Sequence, residues 1–328
     1  MADSIPTAKL MLMGLPESGK STFIAALWEL VRSNDVSDAL EIGTLHGDYS
    51  YINKLHKLWS EGKPLTRTKV GQEGIVSIPL KDRSRNARGQ DEIEIVLPDL
   101  SGESFDAQWE KRVMSKAYLN HLKEATGLLV FVHSQKFNPG DLIDTKVEGL
   151  DAILSAILPK DPTTTNESSL PALNSSDKTE TMSEETPPKK AIPFDPEKVP
   201  TQTKVVDIIY QSLKLTDNNQ IKKVAFIISA WDLVNDEFDS PADWLTKQMP
   251  LVAQFLNSNS GRFNRKIYGI SAQGDELPTN QESENNISLN QRKKKLLSKI
   301  SPFERILVTD GKVEHHNITA PIQWLLQK

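Results

Sequence analysis

The 328-residue sequence contains no cysteine, which excludes a disulfide framework, a thiolate metal site and a cysteine nucleophile. Long apolar runs are missing too. The first apolar stretch, Leu10–Met13, stops at Gly14, too short for a secretion signal or a membrane span. No other segment approaches the roughly 18 apolar residues of a spanning helix. Nor is there an excess of one charge: 39 Lys and Arg stand against 44 Asp and Glu, a net charge of −5. That balance leaves no broad basic footprint for nucleic acid. The expectation is a cytoplasmic protein with no membrane span and no nucleic-acid partner.

What is present reads as a globular α/β chain. Short apolar runs at Lys9–Met13, Ile75–Leu80, Glu92–Leu97, Gly127–Val132, Val224–Ile228 and Lys266–Ile270 are strand candidates. The runs 75–80 and 92–97 flank a charged, turn-rich stretch (KDRSRNARGQ), which predicts an antiparallel hairpin. The others alternate with helical patterns, among them Phe23, Leu27, Leu30 and Val31, and a helix near 141–158. The pattern predicts a three-layer α/β/α fold with a mostly parallel, six-stranded sheet and one antiparallel hairpin strand. One domain spans 1–328, with a C-terminal helical extension at 285–328. That extension holds a basic helix, Gln291–Lys299, and a closing helix, Ile318–Leu326, entered through Thr319 and Pro321.

Residues 160–203 form a low-complexity insertion. Between Asp161 and Pro200, 18 of 40 residues are Pro, Ser or Thr, too few apolar groups to offset ordering entropy, so disorder is expected there. A tolerated surface insertion and a partner-docking segment both fit it.

The chemistry concentrates first at Gly14–Ser21 (GLPESGKS), which fits G-x-x-x-x-G-K-[ST] between an apolar strand and an amphipathic helix. The glycines let successive backbone N–H groups turn towards phosphate oxygens, and the helix N-terminus adds positive potential. Lys20 reaches the β- and γ-phosphates, and the Ser21 hydroxyl ligates Mg²⁺. Gly14, Glu17, Ser18, Gly19, Lys20, Ser21 and Thr22 form the candidate phosphate-contacting set.

The order of later motifs narrows the nucleotide. The strand Glu92–Leu97 runs into Asp99-Leu-Ser-Gly102-Glu103, a D-x-x-G at a strand's carboxyl end. There Asp99 would hold Mg²⁺ through water, and the Gly102 N–H would meet the γ-phosphate. The strand Val224–Ile228 leads into Ser229-Ala-Trp-Asp232, whose carboxylate can accept hydrogen bonds from guanine N1–H and the exocyclic amine. Adenine offers no such donor pair. Ser271-Ala272-Gln273 follows the last parallel strand, where the Ala272 N–H would meet guanine O6. A threonine should close over the metal ahead of residue 75; Thr66 and Thr68 are candidates. Thr68 is preferred because Arg67 beside it could supply charge to the transition state.

Together these motifs, over residues 10–273, resemble the Ras-like GTPase superfamily. GLPESGKST, Trp59 with Gly62-Lys-Pro and Arg67-Thr68, Leu-Pro-Asp-Leu-Ser-Gly-Glu, Ser-Ala-Trp-Asp and the Ile318–Trp324 ending are most similar to bacterial double-GTPases. That resemblance implies GTP/GDP and Mg²⁺ as ligands, and a protein effector or regulator in a conflict or defence system. An ATPase, or a pseudo-GTPase scaffold acting by protein contact, are the competing readings. Ala230 stands where the usual base-packing lysine would be, Pro16 where a small residue sits near the γ-phosphate, and Glu103 in place of the water-positioning glutamine. Slow intrinsic hydrolysis is therefore expected, with Glu103, Arg67 and Lys20 as its catalytic candidates.

Overall fold

A computed structural model describes residues 8–65, 76–82, 92–97, 103–140, 195, 198–216, 220–275, 277, 287–298 and 301–327. The chain divides into two compact units, Met1–Pro139 with Val199–Lys328, and Gly140–Lys198. Of the second, only Gly140, Asp195 and Lys198 are described, the last two joined by an ion pair of 3.4 Å. The helix expected near 141–158 lies outside the described residues, as does most of the 160–203 insertion.

In the first unit, β1 (Ala8–Gly14) leads into α1 (Lys20–Ser33), β2 (Glu41–Ile42) and α2 (Ser50–Ser60). The hairpin β3 (Val76–Lys81) and β4 (Glu92–Leu97) follows, then α3 (Glu103–Lys111), α4 (Lys116–Glu124) and β5 (Gly127–His133). After the second unit come α5 (Thr201–Leu215), β6 (Lys223–Ser229), a single turn at Trp231–Leu233, α6 (Pro241–Gln248), α7 (Pro250–Ser258) and β7 (Asn264–Ser271). The C-terminal part comprises α8 (Ile287–Leu297), a turn at Pro302–Arg305, β8 (Leu307–Thr309), β9 (Glu314–His315) and α9 (Ala320–Leu326).

The strands form one sheet in the order β2-β3-β4-β1-β5-β6-β7-β8-β9. Its centre, β4-β1-β5-β6-β7, is parallel throughout. β3 runs antiparallel to β4, as the hairpin pattern predicts, and β8 antiparallel to β7. The central strands are apolar along their length because both faces are covered. Leu10, Leu12, Phe131 and Ile227 pack on one face with Phe23 and Trp28 of α1 and Trp59 of α2. Met11, Met13, Val130 and Phe226 pack on the other with Phe105 of α3, Val205 of α5 and Trp244 of α6.

Among the described residues the sheet has nine strands rather than the six expected. The three extra strands, β2, β8 and β9, have only 2, 3 and 2 residues. Such short segments become strands by pairing with an existing edge, not through an alternation of their own, so periodicity cannot reveal them. For the same reason, residues 285–328 contribute strand as well as helix. Among the described residues, no helix is long and apolar enough to cross a membrane.

The end of the chain is stitched to its beginning. Thr319, fully buried, accepts the Leu40 N–H at 3.1 Å and donates to Asn317 Oδ1 at 2.5 Å. Asn317 Nδ2 donates in turn to the Asp38 carbonyl at 3.2 Å, so the loop after α1 rests on the start of α9. Lys223 Nζ donates to the Trp324 carbonyl at 3.0 Å and lies over its indole, closing the other end of α9. Thr319→Val keeps the shape but leaves the buried Leu40 N–H without its acceptor, while Asn317 Oδ1 loses the hydroxyl and keeps only the Thr319 N–H. It should cost about 1–3 kcal/mol in urea unfolding, whereas a loss near zero would mean these loops are held elsewhere.

Candidate functional site

Parallel strands open their carboxyl ends on one edge of the sheet, and there the loops after β1, β5, β6 and β7 converge. The register aligns them: Gly14 of β1 pairs with Phe131 of β5, His133 with Ser229 of β6, and Ser229 with Ile270 of β7.

The loop after β1 is shaped by its backbone. Gly19 has φ +89, and Glu17, a non-glycine, has φ +60. A Cβ on Gly19 would fall 2.5 Å from the Ser229 hydroxyl, so this loop and the end of β6 touch where only glycine fits. Gly19 also precedes α1 without a side-chain cap, and the first turn carries no acidic residue. The first-turn N–H groups of any α-helix lack intrahelical acceptors, and an uncapped, unneutralised N-terminus favours an anion. Ser21 and Thr22 lie in that turn, both partly exposed.

Lys20 is only 3% exposed. Its ammonium donates to the carbonyls of Gly14 and Leu15, each at 2.8 Å, and to Ser18 Oγ at 3.2 Å. These three acceptors are neutral oxygens, and they aim the ammonium. Nucleotide phosphate fits this arrangement, which sets a buried, oriented cation beside a free helix start.

After β6, Ala230 adopts a left-handed backbone (φ 52, ψ 45) at the start of the turn Trp231–Leu233. Such a conformation costs a non-glycine residue roughly 1–3 kcal/mol and persists where surroundings enforce it. Here Ser134 Oγ donates to the Ala230 carbonyl at 2.7 Å, and the Ser134 N–H to the Ser229 carbonyl at 3.0 Å. Trp231 is buried against Gly269 of β7, where a Cβ would meet the indole at 2.5 Å. With its neighbours so fixed, Asp232 stands partly exposed on the turn. Ser229 Oγ is buried without a hydrogen-bond partner.

After β7, Ser271 Oγ accepts the Gly274 N–H at 3.0 Å, and the Ala272 carbonyl accepts the Trp59 indole N–H at 2.9 Å. Arg305, 4% exposed, stacks 4.4 Å from the centre of the Trp59 ring and donates to the Trp59 carbonyl at 3.2 Å.

Of the residues singled out in the sequence, Gly14, Glu17, Ser18, Gly19, Lys20, Ser21, Thr22, Asp232, Ser271 and Ala272 belong to these converging loops. Glu103 is the first residue of α3. Thr66, Arg67, Thr68, Asp99 and Gly102 lie outside the described residues. Sequence reasoning missed Ser134, Ser229 and Arg305 as supports, used Trp59 only as a point of family likeness, and missed His133. The only signal for His133 was a polar residue closing the apolar run GLLVFVH.

His133 Nδ1 accepts the N–H groups of Gln135 and Lys136, each at 3.1 Å, so its proton sits on Nε2. Burial, with the charge of Lys136, pushes its pKa down to about 4, against an opposing pull from Glu17 on the phosphate loop.

The family described as Double-GTPase 1 matches residues 11–325. No curated protein matches the chain. Among solved structures, it is similar to the bacterial selenocysteine-specific elongation factor EF-Sec at 12% identity and a TM-score of 0.34. That match covers 82% of this chain but 26% of the elongation factor, so this chain spans about a quarter of it. A likeness so slight carries no argument.

The histidine yields a pH test. Its folded pKa of about 4 lies below the usual 6.5, so as pH falls the unfolded chain takes up the proton first. The stability tied to this neutral imidazole is complete above 6.5 and is lost progressively as pH drops towards 4. His133→Asn, which retains an acceptor but does not titrate, should show a smaller fall in urea midpoint across that window. Equal falls in both proteins would show that His133 is not held neutral.

Proposed function

The chain belongs to the Double-GTPase 1 family, and on that premise we propose that it is a magnesium-dependent GTP switch with slow intrinsic turnover. The observation that carries this reading is the buried Lys20 ammonium, aimed by the Gly14 and Leu15 carbonyls, on the same sheet edge as the Asp232 turn.

In this reading, the phosphate loop grips the α- and β-phosphates through its main chain, and Lys20 bridges β and γ. Asp232 accepts from the guanine N1–H and amine, and the Ala272 N–H meets O6. Among the described residues the Ser21 hydroxyl would hold a Mg²⁺ ion that came with the nucleotide, and the ion would supply positive charge to the phosphates. Ser21 fits that role by its hydroxyl and its place in the first turn of α1.

Two residues argue for slow turnover. Pro16 is partly exposed in the loop, offers no N–H, and carries a ring that would obstruct a partner's arginine. Glu103, the first residue of α3, is a carboxylic acid in place of the glutamine whose neutral amide would orient water without repelling phosphate. These residues also favour a second reading, a nucleotide-binding scaffold without hydrolysis. The resemblance to double-GTPases supports a partner protein in a bacterial defence-type system as what the switch controls.

Two measurements test this. Asp232→Asn should weaken GTP binding on the order of 100-fold, two charge-assisted hydrogen bonds being at stake, and improve binding of xanthosine triphosphate. An unchanged preference would remove Asp232 from base recognition. In single-turnover assays with Mg²⁺, phosphate release should be slow but above that of Lys20→Ala. No release above that control would leave the scaffold reading in its place.

A further inference from the structure

Trp59 is wholly buried near the end of α2, and the simplest account of it is packing. Its hydrogen bond says more. The indole N–H reaches across 213 residues of sequence to the Ala272 carbonyl. Holding that carbonyl fixes the peptide plane after Ala272, while the pairing of Ser271 with Leu307 and the Gly274 N–H donated to the Ser271 hydroxyl hold the chain on the other side of the Ala272 N–H. The turn's far side rests on Arg305, whose carbonyl would lie 2.4 Å from a Cβ on Gly274. Gln273 adds no anchor through its amide nitrogen, which is buried without a partner.

Arg305 in turn immobilises Trp59. The guanidinium covers the indole face and donates to the carbonyls of Trp59 and Ser60 at 3.2 and 3.4 Å. Arg305 precedes β8, which pairs with β7 at Ser271 through Leu307. The indole N–H is therefore a rigid donor, set by α2 and the C-terminal strands and aimed at one carbonyl of the turn.

We propose that Trp59 is a specificity-determining positioning residue: its N–H holds the Ser271–Gln273 turn so that the Ala272 N–H recognises the 6-keto oxygen of a guanine base. The inference rests on the guanine-nucleotide reading of the site and deepens it. An adenine base carries an amino group at that position, a donor facing a donor. Trp59 thus enforces base choice through the turn, without touching the base.

The test compares GDP with 6-thio-GDP, which keeps the N1–H and amine but replaces the keto oxygen with a weaker sulfur acceptor. The wild-type chain should favour GDP by roughly tenfold, the worth of one hydrogen bond. Trp59→Phe, which keeps an aromatic ring and removes the donor, should bind 6-thio-GDP about as wild type does while losing the preference for GDP. A purely packing role would weaken both ligands equally. If Trp59→Phe does not fold, an isosteric benzothiophene side chain at position 59 removes the N–H at constant shape. Preference retained in either variant, or equal weakening of both ligands, overturns the role of Trp59. A wild-type chain that does not distinguish GDP from ADP overturns instead the reading beneath it.

Discussion

A lysine ammonium buried to 3% exposure is tolerable only if its hydrogens are satisfied. In this protein the Gly14 and Leu15 carbonyls and the Ser18 hydroxyl accept from it, and they can do so only because the chain reverses tightly between β1 and α1. That reversal needs a left-handed backbone at Gly19 and Glu17, and close contact with the end of β6. It also needs β1 to sit inside the sheet, paired on both sides by β4 and β5, so that its end cannot shift. The cation, the loop and the parallel core are one constraint viewed at three scales.

The loops after β6 and β7 follow the same logic with different materials. The left-handed Ala230 is enforced by Ser134 and by Trp231 seated on Gly269. The Ala272 turn is enforced by Trp59 and backed by Arg305. In each case a strained or tight turn is held by a partner from a distant part of the chain, so that its exposed groups need little rearrangement to meet a ligand. Preorganisation of this kind favours tight binding. It does nothing by itself for hydrolysis, which in the proposed reading Pro16 and Glu103 slow. Under that proposal, the output of the switch is its bound state.

Much of this was legible in the sequence where the physics is local. Gly14–Ser21 carries loop, cation and helix start within eight consecutive residues, so composition and spacing reveal it. The central strands announced themselves because burial on both faces demands unbroken apolar runs, and the β3–β4 hairpin through its charged turn. What escaped depends on distance. The bond from Trp59 to Ala272 spans 213 residues, and that from Arg305 to Trp59 spans 246. His133 reads as the ragged end of a strand until the two N–H groups of the following turn are seen to converge on its ring. Strands of two or three residues leave no periodic trace, which is why the sheet is wider than its pattern implied.

The account stands most directly on which base the site accepts. Calorimetric titration of the purified full chain with GDP in the presence of Mg²⁺, repeated after saturation with ADP, measures it. The account predicts GDP binding at one site per chain with an affinity unaffected by ADP. Displacement of GDP by ADP at comparable concentration, or no heat from either nucleotide, would contradict it.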